Sequence, residues 1–200
     1  MKSLIQSPTN SLQLSVEFYS KLNFQNISSE TRTLFADGAG IIEINPNRFA
    51  RAGIKLFQKY WEEEVKRLEK ETTVRRIEGG FLLAESSGTW IYLMESEEEF
   101  RIPSRSKSNL GNYAGISLEC IDIQKSLQIL KILGFEESGG NISQGWLSLS
   151  NQDGFSISLM LPESCPHLFF NPSLNYFNGE SNMEVIEQLR QMEIPIVEEI

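Results

Sequence analysis

One pattern recurs along the chain and constrains its fold more than any other feature. Residues 11–24 align without gaps with residues 122–135. Each stretch reads as one amphipathic helix. Ser11 and Asp122 stand where an N-cap belongs, and Asn23 and Gly134, residues that tolerate a left-handed cap, close the far end. Apolar positions fall three and four apart: Leu12, Val16, Tyr19 and Leu22 in one, with Ser15 between them, and Ile123, Leu127, Leu130 and Leu133 in the other, with Ser126 between them. A unit that recurs at this length cannot bury its own apolar face and must pack against a copy of itself.

Short alternating runs surround each helix. After the first come 25–27, 31–36 and 41–45, the last two joined by the turn Asp37-Gly38-Ala39-Gly40. After the later helix come 136–138, 146–150 and 155–161, with Asn151-Gln152-Asp153-Gly154 as the turn. An Asp-Gly pair between alternating runs is a strong hairpin signal. A second unit follows the first closely, with a strand at 52–57, a helix at 60–70 and strands at 74–77, 81–85 and 89–94. A fourth begins with a strand at 172–177, continues with a helix at 181–192, and ends after a strand at 194–199. Each unit is therefore strand, helix and three-stranded meander, βαβββ, and the fourth lacks its last two strands. The expected fold class is α+β, with mixed sheets built from paired units: a first domain at 1–96, a polar, Ser-rich linker at 97–112, and a second domain at 113–200.

Composition sets the class of partner. Apolar residues make up 40% of the chain and charged residues 22%, the balance of an ordinary folded protein. A net charge of -9 repels phosphate backbones and anionic lipid, so neither nucleic acid nor a membrane surface is an expected partner. The same acidity favours a cationic or neutral small organic ligand. No apolar run reaches the roughly 18 residues a membrane span needs, and no secretory signal is read at the N-terminus. Cys120 and Cys165 are too few for a disulfide scaffold, and the expected compartment is the cytoplasm.

Four such units taken pairwise resemble the vicinal oxygen chelate superfamily, with its glyoxalase, bleomycin-resistance and extradiol-dioxygenase members. The resemblance rests on Ser15-Val16-Glu17-Phe18-Tyr19-Ser20-Lys21-Leu22-Asn23-Phe24, similar to the family's S-x-x-F-Y-x-x-L-G-F. The runs at 41–44, 87–93 and 153–159 look like its unit-ending strands. The resemblance implies U-shaped sheets with helices on the convex side and a cleft that often holds a divalent metal. The ligands would come from the first strand (His or Gln) and the last strand (Glu) of each unit.

Carried over residue by residue, those positions fall on Leu4 with Gln6 beside it, Glu43, near Gly53, Tyr92, near Gly115, Ser158 and near Ser173. Glu43 alone matches a ligand type. A catalytic divalent site takes about three protein ligands, so no metal and no cofactor is expected, and metal-dependent isomerase or dioxygenase chemistry is not anticipated. Strand alternation puts Gln6, Glu43, Lys55, Trp90 and Tyr92 in the first cleft, and Glu119, Ser156, Ser158 and Met160 on the matching face of the second pair. A carboxylate buried at Glu43 requires a partner, either Lys55 or a ligand. The single histidine, His167, is a further candidate contact. Its surroundings, Cys165-Pro166-His167, read as an ordered connection with Phe169 and Phe170 packed in the core. The leading expectation is a metal-independent small-molecule binder. Alternatives are a divergent lyase or isomerase using Glu43 as acid or base, and a structural or regulatory module with vestigial clefts. The sheet edge left by the incomplete fourth unit points to a homodimer.

Overall fold

The computed structural model describes residues 1–38, 40–100, 107–165 and 170–197. The first unit is β1 (Lys2–Pro8), α1 (Leu12–Lys21), β2 (Gln25–Asn26), β3 (Thr33–Asp37) and β4 (Gly40–Asn45). The second is β5 (Gly53–Gln58), α2 (Glu62–Leu68), β6 (Val74–Ile77), β7 (Gly80–Ala84) and β8 (Trp90–Glu95). The third is β9 (Tyr113–Glu119), α3 (Ile123–Ile132), β10 (Glu136–Asn141), β11 (Trp146–Ser150) and β12 (Ser156–Met160). β13 (Ser173–Tyr176) and α4 (Asn182–Gln191) follow. The caps act as the sequence implies: Ser11 Oγ accepts from the Leu14 N–H and Asp122 Oδ1 from the Lys125 N–H, while Asn23 (φ 63°) and Gly134 (φ 82°) take left-handed conformations.

Pairing follows the repeat. One sheet runs β2-β3-β4-β1-β5-β8-β7-β6 and the other β10-β11-β12-β9-β13. In each unit the first strand lies parallel to the last: β1 with β4, β5 with β8 and β9 with β12. Two units join through their first strands, antiparallel, as β1 with β5 and β9 with β13. The fold is α+β with two mixed sheets.

Alternation assigns the faces. Ile42, Ile44, Ile54, Leu56, Ile91 and Leu93 turn towards the helices, with Trp61, Val65 and Leu68 of the α2 region above them. Ile116, Leu118, Ile157 and Leu159 do the same beneath α3, and one continuous cluster holds both sets. Removing each such side chain from water stabilises the fold by about 1.5–3 kcal/mol. α1 and α4 contribute less, since neither has a fully buried residue. A smaller cluster lies on the helix-free face of the first sheet, where Leu4, Leu34, Ile41 and Phe57 meet Met94 and Phe100.

Three expectations are corrected or lie outside the described residues. Residues 194–197 form no strand; Ile194 packs against the main core instead. The second strand of a unit pairs with the third, as β2 with β3, β6 with β7 and β10 with β11, and the fourth unit has no such third strand among the described residues. Residues 198–200 are outside the described chain. Phe170, expected in the core, is 67% exposed, because it precedes the edge strand β13, where no second layer among the described residues covers it. Phe169 and His167 lie outside the described residues. The flanks of the 97–112 segment are tied to the first sheet: the Phe100 ring meets Phe57 edge-on, and Ser108 donates its N–H and Oγ–H to Asp37 at 2.7 and 2.5 Å.

Candidate functional site

The helix-free face of the first sheet gathers most of the residues singled out above. β1 and β5 run antiparallel at its centre, bringing Leu4 opposite Lys55 and Gln6 opposite Gly53. β4 and β8 flank them, pairing Gln6 with Glu43 and Lys55 with Tyr92. Gln6, Glu43, Lys55 and Tyr92 thus become neighbours although they come from four strands.

Glu43 is the electrostatic centre. It is 7% exposed, and its Oε2 accepts from Lys55 Nζ at 2.6 Å and from Arg32 Nη2 at 3.2 Å, while Oε1 accepts from Arg32 Nε at 3.2 Å. A forked guanidinium on a carboxylate is among the stronger hydrogen-bonded pairs. Burial pushes the Glu43 carboxyl up, but the Arg32 fork and the Lys55 ammonium outweigh it and hold the group below the usual carboxylate range. Arg32 is fixed in turn. Its Nη1 lies 3.5 Å from Glu98, and its guanidinium sits over the rings of Phe57 and Phe100 at 5.3 and 5.7 Å. The partner that Glu43 required is Lys55, as one of the two sequence alternatives had it, joined by Arg32.

Gln6 is also committed. Its amide N–H donates to the Arg51 carbonyl at 2.8 Å, and its oxygen accepts from Asn45 Nδ2 at 2.8 Å. Beside this network lies a recess of about 220 Å³, lined by Gln6, Asn45, Phe49, Lys55, Tyr92 and Met94 among others. Lys55 Nζ stands 5.9 Å from the Tyr92 ring centre, so one ammonium serves both carboxylate and aromatic wall. Trp90, on the same strand face as Tyr92, is not among the residues that line the recess.

The corresponding face of the second sheet is a field of hydroxyls. Ser148 and Ser158 share a hydrogen bond at 2.8 Å, Ser150 and Ser156 one at 2.9 Å, and Asn175 donates to Ser117. Glu119 is held by its backbone, its N–H donating to Asn171 Oδ1 at 2.7 Å and its carbonyl accepting from Asn171 Nδ2 at 2.8 Å. The structure therefore brings together Gln6, Glu43, Lys55 and Tyr92, and separates them from Glu119 and Ser158 on the other sheet.

Three participants carried no motif: Arg32, Glu98 and Phe100. Arg32 was within reach of sequence reasoning. Counting back from the Asp37–Gly40 hairpin sets Leu34 opposite Glu43, and Arg32, two residues earlier on the same face, is the diagonal neighbour.

No family model matches the chain, and no curated protein matches it in sequence. Solved structures do. A catechol 2,3-dioxygenase superposes with a TM-score of 0.55 at 11% identity, over 96% of this chain and 76% of its own. The Mn(II)-bound glyoxalase from Novosphingobium aromaticivorans gives 0.53 at 14%, over 96% and 71%. A xylose isomerase-like TIM barrel/4-hydroxyphenylpyruvate dioxygenase fusion protein gives 0.56 at 12%, over 96% of this chain and 38% of that one. The chain has the vicinal oxygen chelate fold.

That fold commonly carries a divalent metal, and the residues here do not suit one. Both Glu43 oxygens already accept from cationic donors, and both ends of the Gln6 amide are bonded within the protein. A divalent ion at Glu43 would have to displace two fixed positive charges, which repel it. Among the described residues no three His, Cys, Asp or Glu side chains converge. No helix among them is long and apolar enough to cross a membrane.

Proposed function

We propose that this chain is a metal-independent binder of a small organic molecule, held in the recess on the helix-free face of the first sheet. The observation that carries the reading is the recess itself, lined by Tyr92 and the largely exposed Phe49 ring together with polar groups already fixed by the Gln6–Asn45 and Glu43–Lys55 contacts. Apolar walls with a few oriented polar groups are the usual make-up of a ligand site. At about 220 Å³ the recess is below the roughly 300–1,000 Å³ of drug-sized sites, which suits a ligand of one ring.

Local charge decides the ligand's sign against the bulk acidity of the chain. Lys55 faces the recess, and the Arg48 guanidinium lies over the Phe49 ring at 4.7 Å. A neutral or anionic ring is favoured over a cation. The lowered Glu43 carboxyl weighs against proton abstraction there, since a general base works best with its pKa near the working pH.

A thermal-shift screen with single-ring aromatic acids, phenols and cationic antibiotics tests this reading. Stabilisation by a ring compound, lost in Tyr92→Ala and unaffected by chelator, supports it. Stoichiometric tight binding of Mn, Fe, Ni or Zn overturns it. Free Cys120 and Cys165 support a reducing, cytoplasmic compartment. A homodimer covering the free edge of β13 belongs to the same reading, and a monomer at micromolar concentration by light scattering removes it.

A further inference from the structure

A second concave region lies on the opposite side of the molecule, where α2 and α3, helices that cover different sheets, come together. The groove between them is about 500 Å³ in volume, larger than the recess beside Tyr92. Its floor is apolar, from Leu127 and Ile132, which are 8% and 9% exposed. Its walls are polar, with Arg67, Lys70 and Glu71 from the end of α2 and Gln124, Gln128 and Lys131 from one ridge of α3.

Several cations of this acidic chain are engaged. Lys2, Arg32, Lys55, Lys66, Arg76 and Lys131 are ion-paired, and Arg48 and Lys59 stack on neighbouring rings. Arg67 and Lys70 have no side-chain partner among the described residues, and the same holds for the amides of Gln124 and Gln128. Lys131 is neutralised by Glu137, so Arg67 and Lys70 against the single carboxylate of Glu71 leave this groove with one positive charge in excess, in a chain whose net charge is -9. The end of a helix favours basic residues through its dipole, which accounts for Arg67. It does not account for Lys70 beyond the helix, nor for two unbonded amides on the facing ridge.

We propose that the groove between α2 and α3 binds a phosphate-bearing small molecule. Arg67 supplies a planar fork that matches two phosphate oxygens, Lys70 supplies a point charge, and the Gln124 and Gln128 amides donate to the remaining oxygens. The Leu127–Ile132 floor receives the organic part, for which about 500 Å³ leaves room. The site shares no residue with the recess beside Tyr92, so either proposal can fail alone.

Pyrophosphate titrated into the ¹⁵N-labelled full chain at constant ionic strength tests it. The expected result is saturable shifts of the amides at 67–71 and 124–132, abolished in the double variant Arg67→Glu, Lys70→Glu. Gln128→Glu removes no cation and disturbs no hydrogen bond, and is expected to weaken binding about tenfold, the equivalent of one charge-assisted contact. Tyr92→Ala is expected to leave the titration unchanged. Shifts that fail to saturate by about 10 mM, tenfold weaker than a millimolar site, overturn the proposal. So do shifts that spread over other surface lysines or persist in both groove variants.

Discussion

The Lys55 ammonium lies 2.6 Å from Glu43 Oε2, the oxygen that also accepts from Arg32 Nη2. Lys55 belongs to the second unit and Glu43 to the first, so this ion pair bridges the central β1–β5 joint between the two repeats. Its partners have side chains only 9–20% exposed, and that near-burial sets the energetics. Glu43→Gln leaves two positive charges in a poorly solvated place, and breaking a buried pair from one side costs about 3–5 kcal/mol. Arg32 keeps Glu98, so the expected loss is near the lower end, about 3 kcal/mol, read from the urea midpoint. Adding Lys55→Met to Glu43→Gln is expected to return part of that loss. A double variant less stable than the single one would show that Lys55 has a separate role.

Acid stability follows from the same contact. The folded-state pKa of Glu43 is below its ordinary value of 4.5. Between the two values the unfolded chain binds more protons than the folded one, so stability rises with pH through that window. The contribution is complete above pH 4.5 and is lost as pH falls through the folded value. Urea unfolding followed from neutral pH down to about pH 3 should show a steeper loss in the native chain than in Glu43→Gln. Parallel curves for the two would refute the linkage.

How much of this was legible follows from the type of signal each feature leaves. The helices at 12–21 and 123–132 and the faces of β4, β5, β8 and β12 obey strict periodicities, which sequence displays directly. Gln6, Glu43, Lys55 and Tyr92 came from the same alternation. Glu98 and Phe100 lie in an aperiodic, charged stretch that reads as a connection, and only the folded chain shows them closing over Arg32. The strand expected at 194–199 rested on the repeat alone, but repetition cannot supply a neighbouring strand for it to pair with. Phe170 was placed in the core by its hydrophobicity, although its position ahead of an edge strand leaves it nothing to pack on.

A buried polar pair near Asp37 gives a prediction of the opposite sign. The Tyr113 hydroxyl is buried without a hydrogen-bond partner among the described residues. Its ring meets that of Tyr176 at 5.7 Å, and the Tyr176 hydroxyl lies within reach of Asp37 and Ser108. Asp37 meanwhile accepts two donors from Ser108. Burial and the Asp37 charge push both phenols above their ordinary range. An unpartnered buried hydroxyl costs about 1–3 kcal/mol in desolvation, so Tyr113→Phe, which keeps the ring packed on Gly40, should leave stability unchanged or raise it by about 1 kcal/mol. A fall of that size in thermal or urea unfolding would show that the hydroxyl has a partner, such as bound water.

Gly53 explains why the second unit has no ligand-type side chain near its first-strand position. A Cβ on Gly53 would press into the Trp90 carbonyl across the parallel β5–β8 ladder, where two central strands leave no room to shift. Gly53→Ala is therefore expected to destabilise by about 2–3 kcal/mol, as overpacking does, although alanine is normally the better residue in a strand by about 0.5–1 kcal/mol. Gly139→Ala is the internal comparison: nothing lies within 4 Å of its Cβ, so the ordinary preference should hold and the variant should be neutral or slightly more stable in urea. Equal effects at the two sites would mean that β5 and β8 can separate enough to accept a side chain. Gly53→His is then the decisive variant, since a histidine that folded there and bound Zn beside Glu43 would show that close packing is not what removes the ligand.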